Sequence, residues 1–237
     1  MKDIPEFYIL GLPIETEIGL VDFIKVKEYP DYYQDLYLFS MSKEELIYRL
    51  SEVNKNGSLN ELIELIKPLS LFQISTMLPD LANAYYKVFT RVFNSEDSLS
   101  KINESNFDYY RKLIMRMNVL KEEKINPNPE IQRAIERSKR LKVAEGDRIT
   151  FADIVSSVVG YNGLSYKDIN EFTLYQLYMT YYRIANIKNY DTSTLFATVS
   201  AEKINIESWS KHINLFEEEQ HAFTVEQFDK KVKSVFK

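Results

Sequence analysis

The chain has 237 residues, 45% of them hydrophobic and 27% charged, with a net charge of −5. That length can bury a substantial core, and that composition excludes disorder over most of the chain. The absence of cysteine excludes disulfides, thiolate nucleophiles and zinc–thiolate sites, and the acidic balance argues against a dedicated nucleic-acid binder.

Glycine and proline are sparse, at 6 and 7 residues, so the elements should be long and helical rather than short strands joined by many turns. Met1 to Leu12 mixes acids with a proline and shows no basic start followed by an apolar run, so no signal peptide is expected. Phe7 to Leu10 and Gly19 to Val26 read as two short extended segments, a candidate hairpin. After Pro30 the pattern becomes helical. Ser42-Lys43-Glu44-Glu45 has the form of a capping box, in which the serine and the second glutamate each satisfy a free backbone donor. Leu46, Ile47, Leu50 and Val53 form the stripe behind it, and Asn56-Gly57 ends the helix. Ser58-Leu59-Asn60-Glu61 repeats the start signal, and Pro68 closes that element. Ser70 to Phe93 is a longer helical pattern that Pro79 should split or kink. Asn106 to Leu120 gives a further amphipathic helix.

Residues 121–148 are highly charged and free of aromatics. Asn126-Pro127-Asn128-Pro129 forces an extended turn, after which Glu130 to Lys142 is helical. This stretch reads as a connector between an N-terminal lobe, 1–120, and a C-terminal lobe, 149–237. In the latter, Thr150-Phe151-Ala152-Asp153 opens a helix to Val159, and Gly160 and Gly163 flank a turn. Ser165 to Asp168 opens the next element, and Thr173 caps a long helix carrying Leu174, Leu177, Tyr178, Tyr181, Tyr182 and Ile184. Thr224 to Gln227 starts a last helix with Val225, Phe228, Val232 and Val235 on one face. The expected fold is mainly α: a multi-helix globular protein with a short extended or β-hairpin N-terminal element.

Candidate chemistry is thin. His212 and His221, with Glu217 to Glu219 between them, match no metal-ligand spacing, and the acids read more simply as a solvated turn. No carboxylates are set as an acid–base pair. Ser156-Ser157 is no nucleophile elbow, and Gly160-Tyr161-Asn162-Gly163 is too short to cradle a phosphate. The expectation is a protein without catalytic activity, cofactor or metal. No apolar run approaches the roughly 18 residues of a membrane span, so a cytoplasmic protein is expected.

The basic residues Arg133, Arg137, Lys139, Arg140 and Lys142 meet one acid, Glu136, in the connector helix. The following Phe151–Val159 and Ser165–Phe172 resemble a helix-turn-helix in outline, so a regulatory or adaptor protein gripping phosphates through 133–142 is one reading. Asp168 and Glu171 stand against it, where a recognition helix wants Arg, Asn or Gln.

Tyr-Tyr pairs recur at Tyr32-Tyr33, Tyr85-Tyr86, Tyr109-Tyr110 and Tyr181-Tyr182, without the regular spacing of a repeat. Trp209, the sole tryptophan, sits among Glu207, Ser208, Ser210 and Lys211, so it either caps the core between two helices or docks against a partner. In the second case Ile213 and Phe216 share its helical side, with Tyr181 and Tyr182 nearby. The stretch Thr173–Ser200, then Trp209-Ser210-Lys211-His212-Ile213, then Thr224-Val225-Glu226-Gln227-Phe228 resembles the C-terminal part of tailed-bacteriophage tail assembly chaperones and related tail-region proteins. In these a Tyr-Tyr-Arg stretch, here Tyr181-Tyr182-Arg183, precedes a Trp-x-x-His segment. The resemblance implies a non-enzymatic partner of a tail tube or tape-measure protein, acting in the cytoplasm of an infected bacterium and able to self-associate.

Overall fold

The computed structural model describes residues 5–144, 149–201 and 204–216. Among them the chain is mainly α, with one two-stranded antiparallel hairpin near its start. The N-terminal elements are α1 (Pro5–Leu10), β1 (Ile14–Thr16), β2 (Gly19–Val21), a 3-10 turn (Val26–Glu28), α2 (Tyr29–Ser40), α3 (Lys43–Val53), α4 (Asn60–Ile66), α5 (Leu71–Met77), α6 (Pro79–Phe93), α7 (Glu96–Ser100) and α8 (Phe107–Met117). Then come α9 (Pro129–Ala144), α10 (Phe151–Asn162), α11 (Tyr166–Ile169) and α12 (Leu174–Val199).

Phe7 to Leu10 is helical, not extended. An apolar run this short fits either state by periodicity, and its flanks decide. Pro5 occupies the first turn, and Gly11, at φ +65°, takes the left-handed position past the end. Its N–H donates to Tyr8 O at 3.2 Å and that of Leu12 to Phe7 O at 3.0 Å. The hairpin forms one step later, pairing Ile14 with Val21 and Thr16 with Gly19.

Start signals are honoured where the acceptor side chain has no stronger partner. Reciprocal boxes form at Ser70/Gln73, Thr150/Asp153, Ser165/Asp168 and Thr173/Gln176. Ser42 accepts from Glu45 N, but the Glu45 carboxylate turns to Arg49 one turn on. Burial pushes the Glu45 carboxyl up while Arg49 pulls it down. Ser58 caps nothing: α4 starts at Asn60, and Asn54 accepts from Leu59 N at 2.9 Å across the turn. Pro79 splits its pattern as expected, with Leu78 extended between α5 and α6. Helix α10 runs through Gly160 and stops at Gly163, φ +65°. The start at Thr224 lies outside the described residues.

An aromatic cluster of Phe39, Tyr85, Phe89, Phe93, Phe107 and Tyr110 joins α2, α6 and α8 through ring contacts. Beside it the buried Arg111 spans the open end of α2. Its Nε donates to Phe39 O at 3.2 Å and Tyr85 Oη at 2.8 Å, its Nη2 to Ser40 O at 3.1 Å and Met41 O at 2.9 Å, and its Nη1 pairs with Glu122. A guanidinium there faces the negative end of the helix dipole.

The buried core continues without a break into Ile154, Val158, Ile169, Leu174 and Leu177. The chain around Ile24 to Lys27 makes the join: Leu174 N donates to Ile24 O at 3.1 Å, Val26 N to Phe172 O at 2.8 Å and Lys27 N to Asn170 O at 3.3 Å. Asn118, buried, accepts from Ile24 N at 3.1 Å. Tyr8 of α1 meets Tyr175 of α12 at 5.3 Å between ring centres.

Candidate partner-binding surface

Helix α12 has two unlike halves. Its first turns carry Leu174 and Leu177, which are fully buried. Tyr178, Tyr181 and Ile184 lie against the core, half-buried, as the stripe requires. Burial pushes the Tyr178 hydroxyl up to about 12, with Tyr29 and Tyr182 nearby adding to the shift. Lys188 stands over the ring of Tyr161, near the end of α10. Beyond this the helix goes on to Val199 with little cover. Leu195 is 67% exposed, Phe196 57% and Val199 78%. Leu195 and Val199 are four residues apart and share a face.

The chain then returns along α12. Arg183 Nη1 donates to Trp209 O at 2.6 Å and to Lys211 O at 2.9 Å. The Tyr-Tyr-Arg stretch and the Trp-x-x-His segment therefore meet, through the arginine rather than the aromatics. Tyr182 is exposed and touches Tyr181 edge-on at 5.7 Å. Trp209 is 48% exposed and does not cap the core.

Trp209, Ile213 and Phe216 do not share a helical side, because 204–216 is turns and irregular chain. Short polar side chains there bond their own backbone, which competes with helix formation. Ser208 Oγ accepts from Ser210 N at 3.3 Å and Asn214 Oδ1 from Phe216 N at 3.1 Å. Ile213 and Phe216 are half-buried and Leu215 is buried. Phe216 lines a cleft of about 760 Å³ with Met115, Leu120 and Ile125.

The basic residues of α9 meet acids of this same chain. Arg133 pairs with Glu52 at 3.3 Å, Lys139 with Glu123 at 3.0 Å and Arg140 with Glu136 at 3.4 Å. Arg137 is exposed, and the Lys142 side chain lies outside the described residues. The helix-turn-helix outline does not hold a recognition helix: α11 is a single turn, Asp168 completes its cap, and Glu171 is taken by Lys25 and Lys27, each at 2.6 Å. Those two lysines draw the Glu171 carboxyl down to about 2. His212 is exposed, while Glu217 to Glu219 and His221 lie outside the described residues. Among the described residues no three metal-ligating side chains converge, and no helix is long and apolar enough to cross a membrane.

With the geometry in place, two family models match the chain in succession. One, described as the YomV N-terminal domain, covers residues 2–127, and the other, the YomV second domain, covers 141–214. The chain belongs to the YomV family. It is 44% identical over 222 residues to the SPbeta prophage-derived protein YomV of Bacillus subtilis (strain 168), a match covering 93% of each chain. No solved structure matches it. The YomV second domain contains all of α10, α11 and α12 together with the returning segment, so Arg183 and its two carbonyl partners fall within one domain.

The outer face of α12 was missed in the sequence. Its signal is the adjacent pair Leu195-Phe196 with Val199 one turn on, set in a run of Thr and Ser that hides it from any average over the helix.

Proposed function

We propose that this chain is a phage-encoded, non-enzymatic binding protein that acts during tail assembly in the host cytoplasm, holding a tail tube or tape-measure protein. The observation that carries the reading is the far half of α12, where Leu195, Phe196 and Val199 stand largely in water on a helix whose base is locked into the core. Large apolar side chains grouped on one exposed helix face mark contact sites. Tyr182 and Trp209 lie lower on the same element and its return, and both ring types suit interfaces because they bury much area with few rotatable bonds. The prophage origin of the relative YomV supplies the phage setting. Binding of a partner segment along this face needs no catalytic group, metal or cofactor.

The test is disruption of the gene in its own phage, followed by electron microscopy of the induced lysate. Tailless heads are expected, restored by the wild-type gene but not by one carrying Leu195→Asp and Phe196→Asp. Co-expression with the tail tube and tape-measure proteins of the same phage should give a stable complex with one of them. Normal tails in the disrupted phage, or no complex with either protein, would refute the reading.

A further inference from the structure

Helix α9 lies on the body of the protein by its polar side and turns its apolar side to water. Gln132 is buried and its Oε1 accepts from Asn126 N at 2.9 Å, and Glu136 one turn on is half-buried. Arg133 and Lys139 tie the flanks of the helix to Glu52 and Glu123. At 3.6 residues per turn, Ile131, Ala134, Ile135, Ser138 and Leu141 fall within about 120° on the side away from Gln132 and Glu136. All five are exposed. A surface helix of a globular protein normally turns such a stripe to the core, so this one calls for a cover.

The far half of α12 carries the complementary stripe. Laid antiparallel on α9 with Thr192 level with Ser138, it sets Phe196 beside Ile135, Leu195 over the small Ala134, and Val199 beside Ile131. The charges agree with the same register. Asp191 and Arg137 are exposed, and neither has an ion partner among the described residues. Each stands roughly 90–100° to the same side of its stripe, and antiparallel helices bring like flanks together, here within about 3 Å along the axis. A parallel setting would put the two charges on opposite flanks. Lys139 is held by Glu123, and Lys188, level with residue 142, stands over the ring of Tyr161 and bounds the contact at one end. Glu130 lies past Val199 at the other.

We propose that the far half of α12 docks antiparallel on the outer face of α9 of a second copy of this chain. This pairing rests on the reading of the α12 face as a contact site, and it gives that face an occupant before a tail partner arrives. Each copy carries one of each face, so copies add head to tail. The contact runs about 15 Å along the two helices, short of a standard interface, so the association is weak and reversible and a tail protein competes for it.

Sedimentation equilibrium of the intact protein, from about 10 µM to about 500 µM, tests this. The average mass of the wild type should rise with concentration. Ile131→Glu with Ile135→Glu removes one face, and Leu195→Glu with Phe196→Glu removes the other. All four residues are exposed, so the circular dichroism should stay unchanged. Each variant alone should remain monomeric, and an equimolar mixture of the two should recover a one-to-one complex. Self-association of the variant without the α9 face would show α12 pairing with α12, and that of the variant without the α12 face would show α9 pairing with α9. Either result overturns the proposal, as does a mixture that forms no complex or a wild type that stays monomeric throughout. Arg137→Asp or Asp191→Arg should each weaken the association about two- to fivefold, the range of an exposed ion pair, and the double exchange should restore it. No restoration overturns the antiparallel register. All of this is read on the chain alone, so normal tails in the disrupted phage would refute the tail role and leave self-association standing.

Discussion

Replacing Arg111 by Met should cost the fold about 3–5 kcal/mol, because it strands several buried acceptors at once, each costing about 1–3 kcal/mol when left without a donor. The residue is 2% exposed, and its donors serve three main-chain carbonyls, Phe39, Ser40 and Met41, as well as the Tyr85 hydroxyl. Methionine fills much of the same volume, so the cavity cost is small and the loss is polar. Each hydrogen bond from a charged donor is worth about 1.5–3 kcal/mol, and the bonds share one side chain, so they do not add. Glu122 provides the contrast. Its side chain is 41% exposed, so solvent screens the pair, and Glu122→Gln should cost no more than about 1 kcal/mol. The assay is urea unfolding followed by circular dichroism. With a slope of about 3 kcal/mol per molar for a chain of this size, Arg111→Met moves the midpoint down by about 1 M or more. A shift equal to that of Glu122→Gln would mean that the ion pair, not the capped end of α2, holds this site. A cost below about 1 kcal/mol for Arg111→Met would mean that water replaces the guanidinium without penalty.

Gly11→Ala should lower stability by about 1–2 kcal/mol, because a left-handed backbone is strained for alanine and its Cβ would stand 3.0 Å from Thr173 Cγ2; the urea midpoint reads it, and an unchanged midpoint counts against the tight packing of α1 on α12. Trp209→Ala should cost less than about 1 kcal/mol of stability, since the ring is 48% exposed, against about 3–5 kcal/mol for a core tryptophan; a melting temperature lowered by more than a few degrees contradicts this. Tyr8, Tyr85 and Tyr178 are pushed up to about 12, in each case first by burial. The folded state holds these protons more tightly than the unfolded state, so their contribution is complete below pH 10 and is lost as pH rises from 10 towards 12. An absorbance titration should show a late group of tyrosines that ionise together with loss of helix, and simple titration of every tyrosine near pH 10 contradicts it.

The parts of the fold legible in the sequence were those set by near neighbours. Thr150, Ser165 and Thr173 cap their helices with the third residue on, and Pro79 cuts its helix, because each effect acts within one turn. Where another side chain offers a better partner, even one turn away, the cap signal fails. Glu45 leaves its box for Arg49, and Asn54 supplants Ser58 at the start of α4. Phe7 to Leu10 shows the other limit, since an apolar run of that length carries no period and only Pro5 and Gly11 decide its state. At the surface, the polar neighbours of Trp209 left both a core cap and a docking position open, and the ring is 48% exposed. The grip of Arg183 on Trp209 and Lys211 spans 26 and 28 residues, and no spacing rule reaches that far. The exposed face at Leu195 and Phe196 was hidden because only burial separates it from the core stripe of the same helix.

That separation bears on how the molecule works. At 1.5 Å per residue, the 26 residues of α12 extend about 39 Å. Its base is held by Thr173 and Gln176 in a capping box, by the backbone bond from Leu174 N to Ile24 O, and by Gln176 Nε2 donating to Ile9 O at 3.0 Å. Its far end carries Leu195, Phe196 and Val199 with almost no burial to stabilise them. A helix end without packing gains little from propensity alone, and Thr192, Thr194 and Thr198 are weak helix formers. The far half therefore inherits its order from the anchored base, and each residue further out is held less firmly. Apolar groups at such a tip are costly in isolation and favourable once covered. A covering segment gains their burial without having to build the helix, because the base has already oriented it. Such a division, with one half ordered by the core and the other left for a covering segment, is what the proposed binding role requires of α12.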